Sequence, residues 1–76
     1  MTIIEIQEEY IETVNAGIAR WSHRVGGGHS ARISRGARHK AEKSLRHLGY
    51  TDQKQINEII ADARDMASLI RNAEND

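Results

Sequence analysis

Apolar residues recur at helical spacing through the first part of the chain. Ile4, Ile11 and Ile18 lie seven residues apart, and a capping-box pair, Thr2 and Glu5, marks the start of the pattern. This pattern predicts an amphipathic helix over residues 3–22, with its glutamates on the opposite side. The predicted apolar stripe contains Ile3, Ile4, Tyr10, Ile11, Val14, Ile18 and Trp21.

The segment SHRVGGGH interrupts this pattern. Three consecutive glycines oppose a helix through their backbone entropy, so a glycine-rich loop is predicted over residues 23–29. Ser30 is the expected N-cap of a second helix over residues 31–48. Gly49 suits a Schellman stop, with Tyr50 folded back onto the helix. The predicted inner face of this helix contains Ile33, Ala37, Ala41, Ser44, Leu45 and Leu48.

A third apolar periodicity follows at once. It predicts a helix over residues 52–72, capped by Thr51 or Asp52. Its stripe contains Ile56, Ile59, Ile60, Ala63, Met66, Ala67 and Ile70. The fold class expected for residues 1–76 is therefore a single all-α domain of three helices, with a long first helix, a glycine-rich loop and a helical hairpin.

Composition narrows the function classes. The chain has 76 residues and contains no Cys, so it has no disulfide framework, thiolate nucleophile or Cys-based zinc site. Four histidines are present without an HExxH pattern, and no metal site or cofactor is expected. No apolar run approaches the length of a membrane span, and no signal peptide is recognised. We expect a soluble, cytoplasmic protein that makes no membrane contact.

Charge is sorted along a chain that is formally neutral. Residues 1–19 carry four Glu and no Lys or Arg, whereas residues 20–46 carry eight Lys or Arg and one Glu. Residues 47–76 carry three Lys or Arg and six Asp or Glu. Neutrality is thus a cancellation between a basic middle segment and two acidic flanks.

The basic middle segment lines up on one side of the second helix. Five of its residues follow the spacing i, i+3, i+7, i+11, i+14, a line about 21 Å long at 1.5 Å per residue, and Arg38 and Lys40 flank it. We define the predicted partner-binding set as the basic face: Arg32, Arg35, Arg38, His39, Lys43 and Arg46.

Two interpretations of the basic face compete. It is either a solvated face, partly paired with the acids of the other helices, or a docking surface for an anion. Exposed ion pairs contribute only about 0–1 kcal/mol each, so stability alone is a weak reason to sort charge this sharply. Arginine forks suit phosphate and carboxylate groups, which favours docking. The scarcity of aromatic residues argues against a stacking platform for single strands.

Other motifs carry weaker signals. GGGHS before a helix is typical of anion-binding loops, but it has no P-loop lysine or preceding strand, so a linker is the simpler interpretation. The carboxylates on the first and third helices have no apolar cleft that would separate their pKa values, as a catalytic pair requires. We therefore expect no catalytic residues, no enzymatic activity and no small-molecule substrate.

The leading hypothesis is a small regulator or inhibitor, of a size common in phages and mobile elements. It would dock the basic face onto nucleic acid or onto an acidic surface of a nucleic-acid-processing complex. One alternative is an adaptor that forms a homodimer or binds a protein through helix one, by the contacts Ile4, Ile11, Val14, Ile18 and Trp21. Another is an acidic mimic of nucleic acid, built on helices one and three.

Overall fold

Three α-helices make up the computed structural model, which describes residues 1–21 and 28–74, with side chains described for 1–20 and 32–73. The helices are α1 (Ile3–Trp21), α2 (Gly28–His47) and α3 (Gln53–Glu74). The expected all-α, three-helix architecture is confirmed. No strand occurs within the described residues.

The first helix begins with the predicted capping box. The Glu5 backbone N–H donates to the Thr2 hydroxyl at 3.2 Å, and the Thr2 backbone N–H donates to a Glu5 carboxylate oxygen at 3.3 Å. Two backbone donors that the helix leaves without partners are satisfied in this way. The boundary is local chemistry, which is why four residues of sequence were enough to predict it.

The turn between α2 and α3 is a Schellman motif, as predicted. Gly49 has a φ of 106°, and its N–H donates to the Arg46 carbonyl at 3.0 Å. The Tyr50 N–H donates to the Leu45 carbonyl at 3.1 Å, and Tyr50 packs against the core. Asp52 then caps α3 by accepting the Lys54 N–H at 3.0 Å.

The start of α2 differs from the prediction. The helix begins at Gly28, so the predicted loop is wrong for Gly28 and His29, and Ser30 is the third helical residue and not the N-cap. Glycine costs about 1 kcal/mol relative to alanine in a helix interior, but Gly28 is the first residue of this 20-residue helix, so that cost does not prevent the helix from beginning there. Propensity alone therefore placed the boundary too late. The rest of the predicted loop, residues 23–27, lies outside the described residues.

Helix α1 is the central element of the bundle. It runs parallel to α3, since Gln7 donates to the Ile59 carbonyl and Asn15 to the Ala67 carbonyl at the same sequence offset. It runs antiparallel to α2, and most contacts between helices involve α1. The buried core contains Ile6, Tyr10, Val14, Ala37, Ala41, Leu45, Ile56, Ile60 and Ala63.

Some predicted inner positions are wrong. Ile4 is 66% exposed, whereas Ile6, which the stripe left out, is only 3% exposed. The buried row on α1 is Ile6, Tyr10 and Val14, at a spacing of four, and Ile4 falls beyond its edge. The other predicted inner residues that are exposed are Leu48, Met66 and Ile70. Leu48 lies in the turn after α2, which ends at His47, and Met66 and Ile70 lie on α3 where the neighbouring helices leave them exposed.

Small residues allow α1 and α2 to approach closely. A Cβ added at Gly17 would lie 2.7 Å from the Cγ2 of Ile33, closer than real side chains pack. Ala37 and Ala41 continue this contact along α2, and both are buried. In contrast, α2 and α3 touch only sparsely. The bundle is therefore tight on one side of α2 and open on the other.

Candidate functional site

All six residues of the basic face are exposed on α2. They do not all face one direction, however. Arg38 and Arg46 reach toward α3, and Arg35 lines the space between the two helices. His39, Lys43 and Arg32 make no hydrogen bond or ion pair with any described residue. The predicted set is thus one connected surface that wraps from the outer side of α2 toward α3.

A polar network bridges α2 and α3 near their turn. The Arg46 Nη2 donates to the Gln53 Oε1 at 2.6 Å, and the Arg38 Nη2 donates to the Asn57 Oδ1 at 2.9 Å. Gln53 also donates to the Asn57 Oδ1 at 2.9 Å. The Arg38 Nε pairs with Glu42, one turn along the same helix, at 3.1 Å. These contacts fix the Arg38 guanidinium in one orientation.

The acidic faces of the other helices hardly neutralise the basic face. The described residues contain two ion pairs: Arg38 with Glu42, and Lys40 with Glu9 of α1 at 2.6 Å. Lys40 flanks the basic face and is not part of it. Of the six basic-face residues, only Arg38 therefore has a carboxylate partner among the described residues, and that partner comes from its own helix.

A cleft opens between α2 and α3 away from their turn. Its volume is about 450 Å³. Arg35 and Arg38 stand on the α2 side, and Arg64 stands on the α3 side. The other lining residues are Tyr10, Ser34, Asn57, Ile60 and Ala61. Tyr10 and Ile60 are buried residues of the core, so the cleft has an apolar base beneath three guanidinium groups.

The three arginines leave many donors for a ligand. Arg38 uses two of its five N–H donors on Glu42 and Asn57, so three remain. Arg35 and Arg64 make no hydrogen bond or ion pair with any described residue. Every lining residue that the structure describes is neutral or cationic. The cleft is therefore suited to an anion with several acceptor oxygens.

Sequence reasoning missed Arg64. It lies in the acid-rich third helix, seven residues after Asn57 and four after Ile60, so a helical projection places it beside the residues that face α2. That spacing was the available signal. Its importance depends on α2 and α3 diverging, which periodicity within one helix does not report.

The residues predicted for a dimer or partner contact have three fates. Val14 is 3% exposed inside the chain's own core, so its assignment as a surface contact is wrong in this fold. Ile11 and Ile18 are half-buried against that core, and Ile4 is exposed. The Trp21 side chain lies outside the described residues. Most of the stripe of α1 is covered by α2 and α3, and the homodimer stays a prediction.

Other candidate sites gain nothing further. No group of three His, Asp or Glu that could hold a metal ion occurs among the described residues. In the GGGHS motif, Gly28, His29 and Ser30 belong to α2, and Gly26 and Gly27 lie outside the described residues. No helix in the described part of the chain is long and apolar enough to cross a membrane.

Comparison of the chain with protein-family models, curated proteins and solved structures found no match. The geometry and charge of the basic face and of the cleft are therefore the observations that bear on function.

Proposed function

We propose that this protein is a small, non-enzymatic binding protein, acting as a regulator or inhibitor, that docks its basic face onto an anionic macromolecule. The partner is nucleic acid or an acidic surface of a nucleic-acid-processing complex. One observation carries the proposal: all six basic-face residues are exposed, and only Arg38 has a carboxylate partner among the described residues. The charge remains available to an external anion.

The described residues of α3 form no ion pair with the basic face, although this part of the chain contains enough acidic residues to do so. Six Asp or Glu lie in residues 47–76, yet no described ion pair joins α2 to α3. No described carboxylate of α3 lies within ion-pair distance of a basic-face residue. The Asn57 and Gln53 oxygens, which are neutral acceptors, hold the arginines at the turn instead. The Gln53 contact orients the Arg46 guanidinium, and no described carboxylate compensates its charge.

Geometry also supports a macromolecular partner. The basic face spans about 21 Å along α2, enough to contact several phosphates of a nucleic acid or several carboxylates of a protein. Each phosphate that a cation neutralises releases counterions, so binding to nucleic acid should weaken steeply as salt rises. An acidic protein surface would also show salt dependence, but its binding would survive nuclease treatment.

The proposal is tested by fluorescence anisotropy with random-sequence duplex and single-stranded probes at two salt concentrations. The binding variant is Arg32→Gln with Lys43→Gln, since both residues are exposed, contact no described partner and lie outside the cleft. Loss of these two cations should reduce the salt slope by about two units, about one per phosphate contact. The matched control is Glu5→Gln with Glu12→Gln on α1, which should leave affinity unchanged or raised.

A parallel pull-down from a nuclease-treated lysate tests the acidic-protein arm with the same variants. Retention by wild type and loss by Arg32→Gln with Lys43→Gln would assign the partner to a protein. The opposite pattern in both experiments, in which the glutamate control loses binding and the cation variant keeps it, overturns the proposal. Helices one and three would then be the binding surface, as in an acidic mimic.

A further inference from the structure

The cleft between α2 and α3 has a feature that docking of the basic face does not use. Arg64 comes from α3, outside the basic face, and lines the same cleft as Arg35 and Arg38. Arg38 is partly compensated by Glu42, whereas the other two make no ion pair with a described residue. Three like charges beside one cavity repel one another, and only Arg38, through Glu42 and Asn57, makes polar contacts with described residues that offset this repulsion.

The local charge sets the charge of a fitting ligand. Three guanidinium groups with one compensating carboxylate leave an excess of about two positive charges beside the cleft. A phosphomonoester carries about −1.5 to −2 at neutral pH, whereas an internal phosphodiester carries −1. Its three terminal oxygens also match forked N–H donors approaching from two helices.

The size and the apolar lining of the cleft also bear on which ligand fits it. A volume of about 450 Å³ lies within the range of small-molecule sites, and the cleft has an apolar base at Ile60 and Ala61. We propose that this cleft binds a phosphomonoester group carried on an organic body of about nucleotide size. The source is either a free nucleotide or the phosphorylated end of a nucleic-acid strand. The proposal goes beyond macromolecular docking, and beyond the expectation from sequence that no small molecule binds.

Within the site, the three arginines have different roles. Arg38 is held in place by Glu42 and Asn57 and presents its remaining donors as a fixed element. Arg35 and Arg64 are unrestrained by described partners and close on the phosphate from opposite helices. The Asn57 side-chain nitrogen, whose amide oxygen is already occupied by Arg38 and Gln53, is an additional donor at the cleft wall.

The test uses isothermal titration calorimetry at low salt with three probes: adenosine 5′-monophosphate, adenosine 3′,5′-cyclic monophosphate and adenosine. The first carries the dianionic monoester, the second a monoanionic diester, and the third no phosphate. We expect the monoester to bind at least about tenfold more tightly than the diester, because the second charge adds charge-assisted hydrogen bonds. Adenosine should show no measurable binding.

Variants assign the effect to the cleft. Arg64→Gln should weaken monoester binding at least about tenfold, and Lys43→Gln, outside the cleft, should leave it within about twofold. Circular dichroism of both variants should match wild type, because both side chains are exposed and neither makes a hydrogen bond or ion pair with a described residue. In the anisotropy assay, macromolecular binding should depend on Lys43, so failure of docking and failure of the cleft proposal are distinguishable.

Two single strands of identical sequence, one with a 5′-phosphate and one with a 5′-hydroxyl, identify the source. Preference for the phosphorylated strand that disappears in Arg64→Gln assigns the ligand to a strand end. Equal strand binding, with Arg64-dependent binding of adenosine 5′-monophosphate, assigns it to a free nucleotide. The proposal is overturned if monoester and diester bind equally, if Arg64→Gln binds the monoester like wild type, or if none of the probes binds at millimolar concentration.

Discussion

The two sides of α2 differ sharply in packing. On the α1 side, Gly17, Ala37 and Ala41 bring the backbones close, and a space of about 10 Å³ beside Ala37 and Ala41 is at or below the minimum for one water molecule. On the α3 side, arginines replace small apolar residues, and the space is about 450 Å³. One helix therefore serves both as a packing element and as the wall of a cleft.

The difference shows how side-chain size and charge divide the work of a small chain. Alanine and glycine lose little side-chain entropy on burial and allow dense contact, so they build the α1–α2 seam. Arginine cannot be buried without a partner, so a helix face that carries it stays apart from its neighbour. The bundle closes on α1 and remains open between α2 and α3 for this reason.

The largest expected effect comes from emptying the core where α2 meets the turn. Leu45 is fully buried, and its carbonyl accepts the Tyr50 N–H of the Schellman motif. Leu45→Ala should reduce the free energy of unfolding by about 2–5 kcal/mol. A domain of this length has about 4–11 kcal/mol in total, so the substitution removes a large fraction of the stability.

Chemical denaturation monitored by circular dichroism measures this change. Leu48→Ala is the matched control, since Leu48 lies three residues on and is 41% exposed. It should lose less than about 1 kcal/mol. Equal losses for the two variants would mean that the core around Leu45, near the turn between α2 and α3, is not packed as described.

How far sequence could predict this fold depends on how local each feature is. The caps at Thr2, Asp52 and Gly49 were readable because each rests on a few neighbouring residues. The predicted stripe included Ile4, which is exposed, and left out Ile6, which is buried. A stripe defined on one helix does not show where the two neighbouring helices lie. The start of α2 was placed late because glycine propensity was given more weight than the length of the packed helix that follows.

The candidate site was predictable only in part. The basic face followed from charge spacing on a single helix, and all six of its residues are exposed in the fold. The cleft did not follow, because it requires two helices to diverge and Arg64 to lie across from Arg35. Nor did the sequence indicate that Asn57 and Gln53 would orient arginines across the turn. These are tertiary relations, which a single-helix projection does not contain.

The second prediction compares the same substitution, Ala→Leu, at two places: the α1–α2 seam and the cleft between α2 and α3. Ala41→Leu places a large side chain in the seam, where Ala41 is 6% exposed, and should cost about 1–3 kcal/mol through overpacking. Ala61→Leu places the same side chain in the cleft, where there is room, and should stay within about 0.5 kcal/mol. Leucine and alanine have similar helix propensities, so packing dominates the difference.

Thermal and chemical unfolding of both variants measure this contrast. Similar losses for the two would show that the cleft is closed in solution and that α2 packs alike on both sides. Ala61→Leu has a second use, because it fills the cleft. It should weaken binding of adenosine 5′-monophosphate while leaving the fold intact.

The third prediction compares two helical glycines. Gly17→Ala gains helix propensity of up to about 1 kcal/mol, but its Cβ would lie 2.7 Å from the Ile33 Cγ2. That methyl belongs to a β-branched side chain and cannot move without a change of χ1. We expect a net loss of about 1 kcal/mol, because overpacking costs about 1–3 kcal/mol.

Gly36→Ala is the control, since a Cβ there meets nothing within 4 Å. It should stabilise the protein by about 0.5–1 kcal/mol. The double variant with Gly17→Ala and Ile33→Ala should lose less stability than the sum of the losses of the two single variants, because the colliding methyl is gone. If Gly17→Ala instead stabilised the protein as much as Gly36→Ala, the close approach of α1 and α2 would be disproved.

The smallest expected effect concerns the charge beside the cleft. Arg64→Gln removes an exposed side chain that makes no hydrogen bond or ion pair with a described residue, so it should change the free energy of unfolding by at most about 0.5 kcal/mol. The sign should be stabilising at low salt, because Arg64 repels Arg35 and Arg38 along the same cleft. Raising the ionic strength to about 1 M shortens the Debye length to about 3 Å, so the gain should disappear.

Lys54→Gln, on the same helix and outside the lining of the cleft, is the matched control and should show no such gain. A gain that persists at high salt, or one that Lys54→Gln shares, would mean that the three arginines do not interact. The arginines would then be too far apart to converge on one phosphate, as the phosphomonoester proposal requires.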